Sequence, residues 1–531
     1  MKSRSWNVLI CVPAILIIFF PILIVSPLGA QSNDVDNLGE GVFVTDFVFT
    51  GNTVMDAETL RRTVEDFRNR NLTLEDMNEA TELITLAYQE EGYILARAII
   101  PEQEIKDGIL QIAILEGNVG EIKVTGNEYY SDLVVKRFFK QQEKEGVIRE
   151  SHLERGYLLT NDVPNLETEI ILEKGQAPGT SDIVLKTRDT RGVRWGVDYN
   201  NFGSKFTSRN RYGTTFEFTE PSLGSTFSLR AVTGDDPGDS SLLAPFYTIP
   251  INSDGTKLSI EYLTANFSLG KQFEDLGQEG DTVVFGAKIL HPLVRARDKN
   301  AIMTFGVEHK KVEQEILDTD QSTDEFNAVY LAFGYDQVDR YLGKTIFSLE
   351  LHTGNVDFGS RTPPSRLEVD EEYVYLNTYL TRIQKIYGYT NLLLRFQGQY
   401  SPNRLLPIEQ FPIGGYFWVR GHEPATFLGD TGYTFSSELL FAPPLLGDTT
   451  LFNQRVGQML QLAAWFDTGG ANVTNALSGE KKNQNLSGYG GGLRLYYNER
   501  LTFRFDIGWP TDRKETGRSN YFYFSGTYGF F

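Results

Sequence analysis

The sequence predicts a mainly β protein in which a transmembrane β-barrel follows two small α+β repeats. Three observations carry this: two-residue alternation over roughly the last 340 residues, an export signal at the start, and a repeat between the two. In the barrel region Leu501, Phe503, Phe505, Ile507 and Trp509 face one way and Thr502, Arg504 and Asp506 the other. Phe227, Leu229 and Ala231 alternate likewise with Thr226, Ser228 and Arg230, as do Leu392, Leu394 and Phe396 with Arg395 and Gln397. Apolar outside and polar inside is the pattern that lipid around a wet lumen requires, and 36 Phe and 26 Tyr suit lipid-facing aromatic girdles.

Residues 1–30 read as a secretory signal peptide: Lys2 and Arg4, an apolar stretch from Val8 to Val25, then small residues ending at Ala30. Its Cys11 is the only cysteine, so the mature chain is thiol-free and its export needs no disulfide. No later apolar run reaches the roughly 20 residues of a spanning helix. The formal charge of −20 argues against nucleic acid as a partner, since phosphates are repelled. Acidic clusters at Glu274 to Asp281, Glu313 to Glu325 and Glu368 to Glu372 read as solvated loop tips between strands, with divalent-cation loops the sharper reading.

A short lead, 31–41, precedes the repeats. Phe47-Val48-Phe49-Thr50-Gly51-Asn52 is echoed 75 residues later by Ile122-Lys123-Val124-Thr125-Gly126-Asn127. Each copy is a short strand ending in Gly-Asn, a pair suited to the positive φ of a tight turn; Gly51, Asn52, Gly126 and Asn127 are therefore read as structural. A helix follows with Leu60, Val64 and Phe67 on one face. A second helix opens at Thr73, with Asp76 three residues later as a weaker version of the capping box and Met77, Ala80, Ile84, Ala87 and Tyr88 forming its buried stripe. Gly92 ends it, and strands at Tyr93 to Ile100 and Ile109 to Leu115 close the unit. The second copy has helices at 131–139 and 153–159 and strands at 169–172 and 182–187.

Two such units before a barrel resemble the POTRA domains of the two-partner secretion transporters, the hemolysin-activator or TpsB family. Phe49-Thr50-Gly51-Asn52, Tyr88 to Gly92-Tyr93, Ile100-Pro101-Glu102-Gln103, Asp107-Gly108 and Glu116-Gly117 match in the first copy; Leu158 to Pro164 and Pro178-Gly179-Thr180-Ser181-Asp182 match in the second. The resemblance covers essentially the whole mature chain. It implies POTRA domains at 42–118 and 119–188 in the periplasm and an outer-membrane barrel at 189–531. Sixteen strands, the number the family implies, leave about 21 residues per strand and loop, which fits strands of roughly ten residues. Family members often carry an N-terminal plug helix, for which the short lead is too brief. The terminal aromatic Phe531 resembles the signal read by the barrel-assembly machinery.

One barrel segment, Phe411 to Asp430, is too glycine-rich for a lipid-facing strand. By resemblance to the family's Val-Arg-Gly-Tyr motif, Val419, Arg420, Gly421 and His422 cap a loop that folds back into the lumen, His422 replacing the usual tyrosine. Its implied wall partners lie in Trp465-Phe466-Asp467, with Asp467 meeting Arg420 and Phe466 beside it. An arginine–carboxylate pair in a confined lumen is bidentate and directional.

The implied function is export of an unfolded secreted exoprotein, through its N-terminal secretion domain, across the outer membrane of a Gram-negative-type cell. No enzyme activity, cofactor or metal is expected. The five histidines are scattered, and no nucleotide-cradling loop is present, so ATP is not the energy source. An outer-membrane assembly factor or insertase is the alternative, and a passive porin needs no periplasmic repeats. Asp430-Thr431-Gly432 and Asp467-Thr468-Gly469 raise an aspartic protease as a remote alternative, but 37 residues between them leave no room for two lobes.

Overall fold

A computed structural model describes residues 41–531 apart from 239, 270–277, 318, 358–361, 444, 445, 499, 513–518 and 531. The signal peptide, most of the 31–41 lead and Phe531 thus lie outside the described residues. The chain forms two compact units. One holds the described residues up to Lys123 with 142–153 and 172–183; the other holds 124–141, 154–171 and 184 onward.

The first repeat is built around the helix Leu74–Glu90. Thr73 and Asp76 close a full capping box at its start. Helical spacing places Met77, Ala80, Ile84 and Tyr88 in the core, with Ala87 half-buried at the edge of the stripe. They pack on Phe47, Leu110 and Ile112 of a three-stranded sheet. In that sheet Ile109–Leu115 is central, parallel to Asp46–Thr50 and antiparallel to Arg97–Ile99. The expected strand Tyr93 to Ile100 is only Arg97–Ile99 long. Ala96 N–H donates to the Tyr93 carbonyl, and that turn directs both side chains into the core rather than along the sheet. The preceding helix is also shorter than its apolar spacing suggests: Ala57–Thr63, then a 3₁₀ turn at Glu65–Phe67.

The repeat extends to the wiring of its turns. Gly51 and Gly126 both sit at φ +82°, and a Cβ would lie 2.3 Å from the Ile114 carbonyl oxygen in the first case and 2.5 Å from that of Thr187 in the second. Asn52 Nδ2 donates to the Met55 carbonyl and Asn127 Nδ2 to that of Tyr130. A buried carboxylate then gathers each turn's amides. Glu116 accepts from Thr53 and Val54 and from the Tyr88 hydroxyl; Asp189 accepts from Glu128, Tyr129 and Tyr130. Burial of Tyr88 and its bond to Glu116 push the phenol's pKa well above its usual value.

Sixteen antiparallel strands close the barrel, from Val193–Asn200 to Tyr521–Phe530, with Trp195 pairing with Phe530 at the seam. The expected alternation holds: Phe505 stands outward, 39% exposed, while Asp506 beside it is fully buried. Phe216, Phe285, Leu331, Leu351 and Phe522 are likewise large, apolar and exposed. Such an outer surface is stable in lipid and not in water. The three longest strands run well past the expected ten residues, at 18, 18 and 20: Gln278–Arg295, Lys299–Ile316 and Thr319–Val338. They absorb acidic residues expected in loops, with Glu313 paired to Thr323 and Glu325 to Lys311 in one ladder.

Candidate functional site in the barrel lumen

The residues between the strands Thr390–Tyr400 and Thr431–Phe441 fold inward instead of forming an outer loop. Within them Phe411–Ile413 pairs with Phe427–Gly429 as a small hairpin. Gly414 (φ +96°) and Gly415 (φ +91°) turn the chain beyond it, where a Cβ on Gly414 would lie 2.5 Å from the Glu423 carbonyl oxygen. Val419 is fully buried among Phe411, Ile413, Ala471 and Leu486, so the hairpin packs its own apolar underside against the wall.

That packing delivers Arg420, 2% exposed, to the wall. Its Nε donates to Asp467 Oδ2 at 2.7 Å and its Nη2 to Oδ1 at 3.0 Å, a bidentate fork, while its backbone N–H donates to Oδ2 at 3.1 Å. Its Nη1 donates to Glu438 Oε2 at 2.9 Å, and the guanidinium carbon lies 3.9 Å from the centre of the Trp465 ring. Arg494 Nη2 bridges Glu438 and Asp506 at 2.8 Å each, and Arg395 reaches Glu438 at 3.5 Å. Three carboxylates and three guanidiniums therefore balance across consecutive strands. In such a balance the mutual attraction and hydrogen bonds offset the large desolvation cost of burying each charge.

The local sequence explains the fit. Asp467 faces Gly488 and Trp465 faces Gly490 in the ladder, and these glycines leave the space that the loop and the indole fill. A Cβ on Gly488 would lie 2.0 Å from the Arg420 carbonyl oxygen, and one on Gly490 2.3 Å from the Trp465 ring. A Cβ on Gly421, at φ +91°, would lie 3.0 Å from the Pro510 backbone nitrogen, and the Gly421 N–H donates to the Tyr523 hydroxyl. His422 sits 3.0 Å from the Ser487 carbonyl through Nε2, a polar contact to the wall in the place of the tyrosine.

Phe466 requires correction. It points outward, 44% exposed, and takes no part in the cluster. A strand's two-residue period puts Trp465 and Asp467 on the lumen side and therefore Phe466 on the other. The aromatic partner of Arg420 is Trp465. The remaining wall groups, Ser436, Glu438, Arg494 and Asp506, come from strands whose pairing no local motif announces.

The two Asp-Thr-Gly segments do not form a carboxylate dyad. Asp430 accepts from Arg366, Leu405 N, Gln410 and Thr474 N, whereas Asp467 is held by Arg420. In the ladder Asp467 pairs with Ser436, six residues beyond Asp430, or about 20 Å along a strand. Among the described residues no group of three or more His, Cys, Asp or Glu is placed to hold a metal.

The model of the haemolysin secretion/activation protein family ShlB/FhaC/HecB matches residues 179–495, and that of the ShlB-type POTRA domain matches 42–117. The heme/hemopexin transporter protein HuxB of Haemophilus influenzae is 23% identical over 416 residues, covering 74% of this chain and 71% of that protein. The outer membrane transporter CdiB of Escherichia coli is 22% identical over 421 residues, covering 76% and 70%. The solved structure of CdiB from Escherichia coli superposes with a TM-score of 0.77 at 18% identity, covering 94% of this chain and 93% of that one. BamA from Haemophilus ducreyi lacking POTRA domains 1–3 shares the fold at a TM-score of 0.55 and 15% identity, covering 92% and 100%. With more than half its length matched by one family model, the chain belongs to the haemolysin secretion/activation family ShlB/FhaC/HecB, the outer-membrane transporters of two-partner secretion.

Proposed function

We propose that this protein captures an unfolded secreted partner protein with its two POTRA-type repeats, 42–118 and 119–188, and passes it outward through the 189–531 barrel without ATP. The observation that carries the reading is a loop of the chain's own that folds into the lumen and is held to the wall by non-covalent contacts, which we read as its closure. A channel for small solutes needs no such closure; a channel for a polypeptide must be sealed at rest and cleared in use. The capture step uses sheet edges. Asp46–Thr50 and Arg97–Ile99 are the outer strands of the first repeat's sheet, with Val48 and Ile99 exposed. An extended segment adds to such an edge by main-chain hydrogen bonds. The repeats lie in the periplasm, where the cargo emerges unfolded, and folding of the cargo outside biases its passage.

The shared fold with BamA favours one second reading, an assembly factor for barrel precursors. Proteoliposomes containing this chain alone test the first. An unfolded secreted protein encoded beside it, added on the POTRA side without nucleotide, is expected to become protease-protected inside the vesicles. Transport that starts only when nucleotide or another protein is added contradicts the proposal.

A further inference from the structure

We infer that the inward loop has a second anchor, on a different part of the wall: Glu409, seated on Lys310 and Tyr375, is a positioning residue that must release along with Arg420 before the pore clears. This rests on the reading of the loop as the movable closure of the lumen. Glu409 lies in the 3₁₀ turn Pro407–Glu409, on the loop's incoming arm, and is 5% exposed. Its Oε1 accepts from Lys310 Nζ at 2.9 Å and its Oε2 from the Tyr375 hydroxyl at 2.6 Å. Its backbone carbonyl accepts from Gln399 Nε2 at 2.9 Å. Just before it, Leu405 and Leu406 are buried against Phe326, Val356, Tyr373 and Tyr375. The arm thus has an apolar foot and an ionic peg.

The two anchors are far apart on the wall. Counted around the barrel, Lys310 is on the seventh strand and Tyr375 on the tenth, whereas Glu438 and Asp467 are on the twelfth and thirteenth. Seventh to thirteenth is more than a third of the way around sixteen strands, so the loop spans the lumen as a strut. Freeing Arg420 alone releases the tip and leaves residues 405–409 in place.

The Lys310 socket is also built for release. Lys310 Nζ has a second carboxylate, Glu308 of its own strand, at 2.9 Å. Arg494 holds Glu438 and Asp506 in the same way beneath Arg420. When Glu409 leaves, Lys310 keeps Glu308 and its socket holds no orphaned buried cation; when Arg420 leaves, Glu438 and Asp506 keep Arg494 while Asp467 loses its fork. Buried ion pairs add little net stability over apolar contacts of the same size, and what they supply is a single geometry. That is the property a reversible latch needs.

The test is single-channel conductance of the full chain in planar bilayers, with heat-modifiable gel mobility confirming a folded barrel. Lys310→Ala and Glu409→Gln are each expected to raise the open fraction roughly tenfold, because the first leaves the buried Glu409 carboxylate with only the neutral Tyr375 hydroxyl and the second removes the charge that Lys310 holds. The double variant should be no more open than either single, and Lys310→Arg, which keeps the charge, should restore closure. If Lys310→Ala fails to fold, Glu409→Gln, which lies in the loop and not in the wall, carries the test. Single variants at the wild-type open fraction, or effects that simply multiply in the double, overturn the pairing. Arg420→Ala, run alongside, separates the failures: if it opens the pore while Lys310→Ala and Glu409→Gln do not, the second anchor falls and the closure reading stands. If none opens it, both fall.

Discussion

Replacing Arg420 with alanine is expected to open the resting pore and abolish export of the partner protein. The substitution removes the fork to Asp467, the bond to Glu438 and the stack on Trp465 together, and leaves three carboxylates facing two guanidiniums. Breaking a buried ion pair from one side costs about 3–5 kcal/mol. Spent on the equilibrium between docked and undocked loop, that is a shift on the order of a hundredfold or more toward the undocked state. Arg420→Lys is not a mild version. A lysine reaches one carboxylate as a point charge and cannot fork to Asp467, bond Glu438 and stack on the indole at once. Its open fraction should lie much nearer to that of alanine than to wild type. Glu438→Gln removes charge but keeps an acceptor, and Asp467 still holds the fork, so its effect should be smaller. Planar-bilayer conductance and partner protein at the cell surface are the two readouts. Wild-type values in both for Arg420→Ala would remove the assigned role.

The second large effect is steric. Gly488→Ala adds a single methyl group 2.0 Å from the Arg420 carbonyl oxygen, where the obstacle is backbone and cannot swing aside. Every charged partner remains, yet the loop tip must shift by about 1 Å or more to restore ordinary contact, which breaks the fork geometry that a bidentate pair demands. The expected result is a pore about as open as in Arg420→Ala, with a barrel of unchanged gel mobility. Gly491→Ala is the control. It lies three residues further along the same strand, on the outward side, where a Cβ meets nothing closer than 3.3 Å, and it should leave conductance near wild type. If Gly488→Ala stays closed, the loop tip is not seated by that glycine gap.

How much of this could be read from residues follows from the range of the signal. Alternation along one strand is local, so Phe505 outside and Asp506 inside were legible, as were the Thr73–Asp76 cap and the Gly51 and Gly126 turns. The strand number came from the family resemblance and agrees with the sixteen observed. What was not legible depends on which strands are neighbours. Glu438, Arg494 and Asp506 each look like an ordinary lumen-facing charge within their own strands. They become one cluster only once the ladder sets Ser436 opposite Asp467, Asp467 opposite Gly488 and Gly492 opposite Asp506. Gly488, Gly490, Gly491 and Gly492 were visible as a run but had no assigned purpose without the loop that fills the gap. The same holds for Glu409, whose partners are 99 and 34 residues away in sequence. Phe466 was a different kind of miss. The two-residue period already excluded it from the face that Asp467 occupies.

In the proposed export, the repeats select an unfolded secreted protein. Competition binding to residues 42–188, the piece proposed to lie in the periplasm, measures that selection. An unfolded N-terminal segment of a large secreted protein encoded beside this chain competes with unfolded barrel precursors. Selective retention of the secreted segment, with precursors unable to displace it, is the predicted result. Preferential binding of the barrel precursors would contradict the claim and place the Arg420 loop in the service of insertion instead of export.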